Sequence, residues 1–149
     1  MFQHILVLWD GSKLSERAFA LATDLSDVYG AELTAVCVVE RPHAHQRALA
    51  GRRHLHERRS GSPLAAADPV QTMFAERHVH DRPAHRRCEL MVLYGHDVIS
   101  DLLELAFEHG SDLLVVGHHS EHKPHHIIPH GLSERLLLSA HLPLLVVGG

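Results

Sequence analysis

Five short runs of nearly uninterrupted apolar residues constrain the fold more than any other feature of the chain. They are HILVLW (4–9), ELTAVCVVE (32–40), CELMVLYG (88–95), SDLLVVG (111–117) and PLLVV (143–147). Each is shorter than an ordinary helix, and the clearest are rich in valine and leucine without the alternation of a strand that has one wet face. That is the signature of strands buried on both sides, as in a parallel sheet. The segments between them carry helical spacing. After the first run, apolar residues recur at Leu14, Ala18, Leu21, Ala22, Leu25 and Val28, with DGS (10–12) as turn and N-cap and Gly30 as the stop. Residues 97–110 place Ile99, Leu102, Leu103, Ala106 and Phe107 on one helical face before Gly110, and 127–141 contains a helix with Leu132, Leu136, Leu137 and Ala140 apolar. The middle is less regular. Residues 41–62 read as an irregular loop and about 64–78 as a short helix, which Pro83 prevents from continuing. Strands alternating with helices predict one α/β domain over 1–149, an open five-stranded parallel sheet with helices on both faces.

Composition narrows the function. The hydrophobic fraction of 45% and the charged fraction of 21% are those of an ordinary globular protein. No apolar run reaches membrane-spanning length, and MFQHILVLWDG turns polar too early for a signal peptide, so a cytoplasmic protein with no membrane partner is expected. A formal net charge of −4 gives no electrostatic case for nucleic acid. Arg52, Arg53, Arg58 and Arg59 read as a solvated basic face. Cys37 and Cys88 form no CxxC pair, and Cys37, within AVCVV, reads as a small buried hydrophobe.

Histidine is the compositional outlier, with seventeen copies. Six of them fall in GHHSEHKPHHIIPHG (117–131), between the fourth strand and the last helix. In an open α/β sheet, ligands bind beyond the carboxyl ends of the strands, near the point where strand order reverses. Two segments leave strands there with suitable chemistry: WDGS after the first strand and the histidine stretch after the fourth. His118, His119, His122, His125, His126 and His130 offer imidazole nitrogens suited to Zn, Ni or Cu, with spacings of three or four usable on a helical turn. Pairs spaced by two, His43/His45, His54/His56 and His78/His80, could chelate from extended backbone. None of these has the fixed two-pair spacing of a zinc finger, and a solvated, histidine-rich surface loop is the competing reading.

ILVLWDGS, AELTAVCVVE, DLLVVGHHS and GLSERLLLSAHLPLLVV, in that order, resemble the universal stress protein (UspA-like) family over almost the whole chain, least over 41–86. The resemblance implies a Rossmann-like sheet of strand order 3-2-1-4-5 and a homodimer through the last strand, 143–147. It also bears on nucleotide binding, since part of the family binds ATP through a loop of the form G, two residues, G, nine residues, G, then Ser or Thr. Glycines admit backbone N–H groups to phosphates, and the next helix N-terminus favours their charge. By resemblance Asp10 stands at the acidic position that holds the adenosine end, Val38 at the adenine contact and Gly117 on the first glycine. Ser120 takes the second glycine position. An ungapped count puts His130 on the third glycine and Gly131 on the hydroxyl residue; one inserted residue makes Gly131 the glycine and Leu132 the hydroxyl position. Either register lacks the second glycine and the hydroxyl. Trp9 fills adenine space or belongs to the core. Ser133, Glu134 and Arg135 read as exposed first-turn residues of the last helix.

No nucleophile, base and orienting group can be read from the chain. The expectation is therefore a stress-response binding or regulatory protein, not an enzyme, that does not hold ATP tightly. An atypical nucleotide switch at Asp10 and 117–131, and a Zn, Ni or Cu module in the histidine loop, are the alternatives.

Overall fold

A computed structural model describes residues 1–40, 58–59, 69–78, 88–95, 97–118 and 131–149. The strands are β1 (His4–Leu8), β2 (Glu32–Glu40), β3 (Arg58–Arg59), β4 (Glu89–Gly95), β5 (Leu113–Gly117) and β6 (Leu144–Val147); the helices are α1 (Lys13–Tyr29), α2 (Pro69–His78), α3 (Val98–Glu108) and α4 (Leu132–Ser139). The sheet order is β3-β4-β2-β1-β5-β6. All pairings are parallel except the edge strand β3, which pairs antiparallel with Val92 and Met91 of β4. The parallel strands, counted alone, run 3-2-1-4-5 as expected. Within the segment 41–62 read as irregular, Arg58–Arg59 forms a two-residue strand on the edge of β4. The remainder of that loop lies outside the described residues, as do 64–68 of the predicted second helix.

Alternation along the strands sorts the core into two layers. Leu6, Leu8, Val36, Val38, Met91, Leu93, Leu114 and Val116 face α3 and α4. Ile5, Val7, Trp9, Ala35, Cys37, Val92 and Val115 face α1 and α2. Because both faces are covered, β1 is buried throughout, which is why its sequence reads as one apolar run. Caps set the helix ends: the Ser12 hydroxyl accepts the Ser15 N–H, Gly30 closes α1 in the left-handed conformation, and Asp97 accepts the Ile99 N–H at the start of α3. At the amino end of the sheet, the Asp112 carboxylate takes the N–H groups of Gln3 (2.7 Å) and His4 (3.2 Å), tying β1 to the start of β5.

The predicted helical faces need correction at their margins. Phe107 is 87% exposed, and Val28, Leu137 and Leu21 are also on the surface. A helix lying on a sheet buries a stripe only as wide as the sheet can cover, so residues at the edge of an apolar sector stay in water.

Candidate functional site

The chain builds β2 and β4 on one side of β1, then β5 and β6 on the other. The reversal of strand order therefore falls between β1 and β5, and their carboxyl ends open the crevice where an open α/β sheet receives ligands. Asp10 stands just beyond β1. Its Oδ1 accepts the Ser12 N–H at 2.9 Å, and its own N–H donates to the Ser15 hydroxyl at 3.3 Å. A short acid followed by Gly-Ser makes this turn readily, because the carboxylate satisfies the N–H two residues on. Trp9 is wholly buried in the α1/α2 layer and stacks edge-on against Phe74 at 5.1 Å. Of its two readings, core is the one that holds. Val38 is also 0% exposed, on the α3/α4 layer, so an adenine ring would have to uncover it.

Gly117 ends β5. A Cβ there would lie 2.9 Å from the Leu14 carbonyl carbon and 3.0 Å from its oxygen, so glycine is required by the packing of β5 on the first turn of α1. Gly131 is the N-cap of α4, with φ 75°, a left-handed conformation that suits glycine rather than a hydroxyl residue. Without a side chain it caps nothing, and α4 has no side-chain cap bond at that position.

Other residues supply the polar chemistry at this end of α4. His118 Nδ1 lies 2.7 Å from the Ser133 Oγ, whose hydroxyl donates to Glu134 Oε2 at 3.2 Å; His118 Nδ1 and Glu134 Oε1 are 3.5 Å apart. With its one hydrogen on Glu134, Ser133 accepts from His118, a chain of donors that needs Nδ1 protonated. The Glu134 carboxyl is held below its ordinary value by its own backbone N–H, then by the Ser133 hydroxyl and the nearby His118, against a partial desolvation that pulls the other way. A carboxylate thus sits at the amino end of α4, where the helix dipole favours negative charge.

Ser133 corrects its sequence reading. It is 5% exposed, because it lies three residues before Leu136 on the same helical face. That spacing was visible in LSERLLL; its polarity argued for the surface. Glu134 and Arg135 are exposed as expected, with Arg135 3.8 Å from Asp97 of α3. A hydroxyl this near an imidazole has the pairing of a serine nucleophile, but here the hydroxyl is buried and the acid orients the serine, not the base.

Of the carried-over nucleotide positions, Asp10, Val38, Gly117 and Gly131 are described; Ser120 and His130 lie outside the described residues. Of the six candidate metal ligands, His118 is described, and His119, His122, His125, His126 and His130 lie outside. So do the histidine pairs at 43/45 and 54/56, and His80. Among the described residues, no group of three or more His, Cys, Asp or Glu side chains could hold a metal ion, and no helix is long and apolar enough to cross a membrane.

A doubly wound sheet, parallel except at its β3 edge, with helices on both faces and its strand order reversing between β1 and β5, defines an open-sheet α/β domain. The chain belongs to the universal stress protein family, whose family model matches residues 1–148. No curated protein matches it significantly. Among solved structures, a universal stress protein in complex with cAMP is similar at 20% identity and TM-score 0.60, over 98% of this chain and 97% of that one. The universal stress protein UspA from Lactobacillus plantarum is similar at 18% identity and TM-score 0.58, over 97% of each chain. The universal stress protein from Archaeoglobus fulgidus in complex with dAMP is similar at 11% identity and TM-score 0.55, over 99% and 98%. At these identities the likeness is one of fold.

Proposed function

We propose that this member of the family is a stress-response binding and regulatory protein, not a catalyst, which takes an adenine mononucleotide weakly over the ends of β1 and β5 and does not hold ATP tightly. The observation that carries the reading is the Glu134 carboxylate at the amino end of α4, together with a Gly131 that has no hydroxyl to offer. A triphosphate brings more charge against that carboxylate than a single phosphate does. A universal stress protein with cAMP and another with dAMP are among the similar structures, and each of these nucleotides carries one phosphate. Asp10 supplies the acceptor for the ribose end.

Calorimetry with AMP, cAMP and Mg-ATP tests this. Mononucleotide binding that Asp10→Ala abolishes, and that exceeds Mg-ATP binding, is the expected result. Glu134→Gln keeps an acceptor at the helix end and removes the charge, and should raise ATP affinity about two- to fivefold, the scale of an exposed charge pair. Micromolar Mg-ATP binding by the unmodified chain overturns the reading. Zn, Ni or Cu binding draws no support from the described residues.

We also propose that the chain forms a homodimer through β6. Support comes from its place at the edge of the sheet, its half-buried Leu144, Leu145, Val146 and Val147, and the exposed Leu137 and Leu138 on the neighbouring α4.

A further inference from the structure

A cluster outside the phosphate end of the crevice joins α2 to the Asp10 turn. Glu16, on the first turn of α1, is its centre. Glu16 Oε1 accepts the Trp9 indole N–H at 3.2 Å and an Arg77 Nη1 hydrogen bond at 2.8 Å, and His78 Nε2 lies 3.0 Å from Oε2. The same Arg77 Nη1 donates to the Gly11 carbonyl at 3.2 Å, inside the turn that carries Asp10. Met73 of α2 presses on that turn as well: a Cβ on Gly11 would come within 3.1 Å of its Cε. Beneath, Phe19, Phe74 and His78 pack around Trp9, with Phe19 and His78 rings 4.3 Å apart.

We infer that Glu16 and Arg77 are positioning residues that clamp the Asp10–Ser12 turn in its ligand-receiving shape. The chemistry follows from the geometry. Asp10 keeps one oxygen on the Ser12 N–H, which holds its orientation for as long as the turn stays closed. Arg77 bridges two parts of the chain that would separate if the turn opened, Gly11 and Glu16. Its Nη1 donates to both, so the charge-assisted bond to Glu16 holds the same nitrogen on the Gly11 carbonyl. Glu16 in turn holds the indole of Trp9, the residue before Asp10, so both flanks of the turn are tied to one carboxylate. The proposal rests on Asp10 as the ligand contact for its functional consequence, but the clamp itself is a property of the ligand-free chain.

Trp9 is the only tryptophan, so its emission reports the clamp directly. The experiment compares the unmodified chain with Arg77→Met, Glu16→Gln and the double variant. Amide hydrogen exchange is followed at 10–12 and, as internal reference, at Val7 and Val115 in the sheet; Trp9 emission and AMP binding are measured on the same samples. Each single variant should speed exchange at the turn about two- to fivefold, the range for a partly exposed ion pair, with Val7 and Val115 unchanged. Trp9 emission should change, AMP affinity should fall by a similar factor, and the double variant should show less than the sum of the two. Unchanged exchange at the turn, strictly additive effects, or an equal rise at Val7 and Val115 overturns the clamp, the last by reducing it to general destabilisation. A turn that loosens as expected in a chain whose unmodified form takes no AMP upholds the clamp and sinks the nucleotide reading instead.

Discussion

Single residues here carry roles that their chemical type conceals. Gly117 matches a phosphate-loop glycine by position, yet its lack of a side chain is demanded by the Leu14 backbone. Gly117→Ala is expected to cost about 1–3 kcal/mol, because neither the strand nor the helix turn can give way cheaply, and urea unfolding measures it. Ser133 presents the opposite case. Its buried hydroxyl joins His118 to Glu134, so Ser133→Ala should lose about 1 kcal/mol, where a solvated serine would lose less than half that. A loss indistinguishable from zero in the same unfolding assay would mean that the bridge contributes nothing.

At the scale of elements, caps and faces decide how α3 sits on the sheet. Asp97 accepts the Ile99 N–H at 3.2 Å and the Ser100 hydroxyl at 3.0 Å. Its carboxyl is held below its ordinary value of 3.8, first by the Ser100 hydroxyl, then by backbone N–H groups and Arg135, against slight burial. Folding therefore favours the ionised cap. Its contribution is complete above the unfolded value and fades as pH falls through the depressed folded one. Asp97→Ala should accordingly cost about 1 kcal/mol at pH 7, and the gap between the two thermal unfolding curves should close under acid. The face of α3 is tested by a contrast. Leu102 is wholly buried and Phe107 is 87% exposed. Leu102→Ala should destabilise by about 2–5 kcal/mol, while Phe107→Ala stays within about 0.5, even though the periodicity of the sequence puts both on one apolar sector.

For the whole molecule, the sheet edge is the feature with consequences. In the β5–β6 pairing, Pro143 O accepts the Leu114 N–H and Val147 O accepts the His118 N–H. Backbone groups alternate sides along a parallel strand, so the amide of Val146 points away from β5, toward the outer edge. Val146→Pro removes a donor only there. The variant should keep its fold by circular dichroism and change from dimer to monomer by light scattering; a variant that remains dimeric rules β6 out as the interface. No dimer in the unmodified chain would also end that proposal.

How much of this was legible in the chain depends on the range of the interaction concerned. Periodicity and capping are local, so the five parallel strands, the cap at Ser12, the stop at Gly30 and the order 3-2-1-4-5 could be anticipated from residues a few positions apart and from the family resemblance. The position of the crevice followed from that order, since strand ends at a reversal are open in any sheet of this kind. The side toward which Trp9 turns was not readable, because it depends on whether residue 9 continues the alternation of β1. Nor was the reason for Gly117, which lies in an approach by Leu14 more than a hundred residues away in sequence. Ser133, Glu16 and Arg77 are ordinary surface residues by type. Only packing in three dimensions sets Ser133 against His118, and brings α2 onto the Asp10 turn, so that Arg77 and Glu16 meet across sixty-one positions of chain.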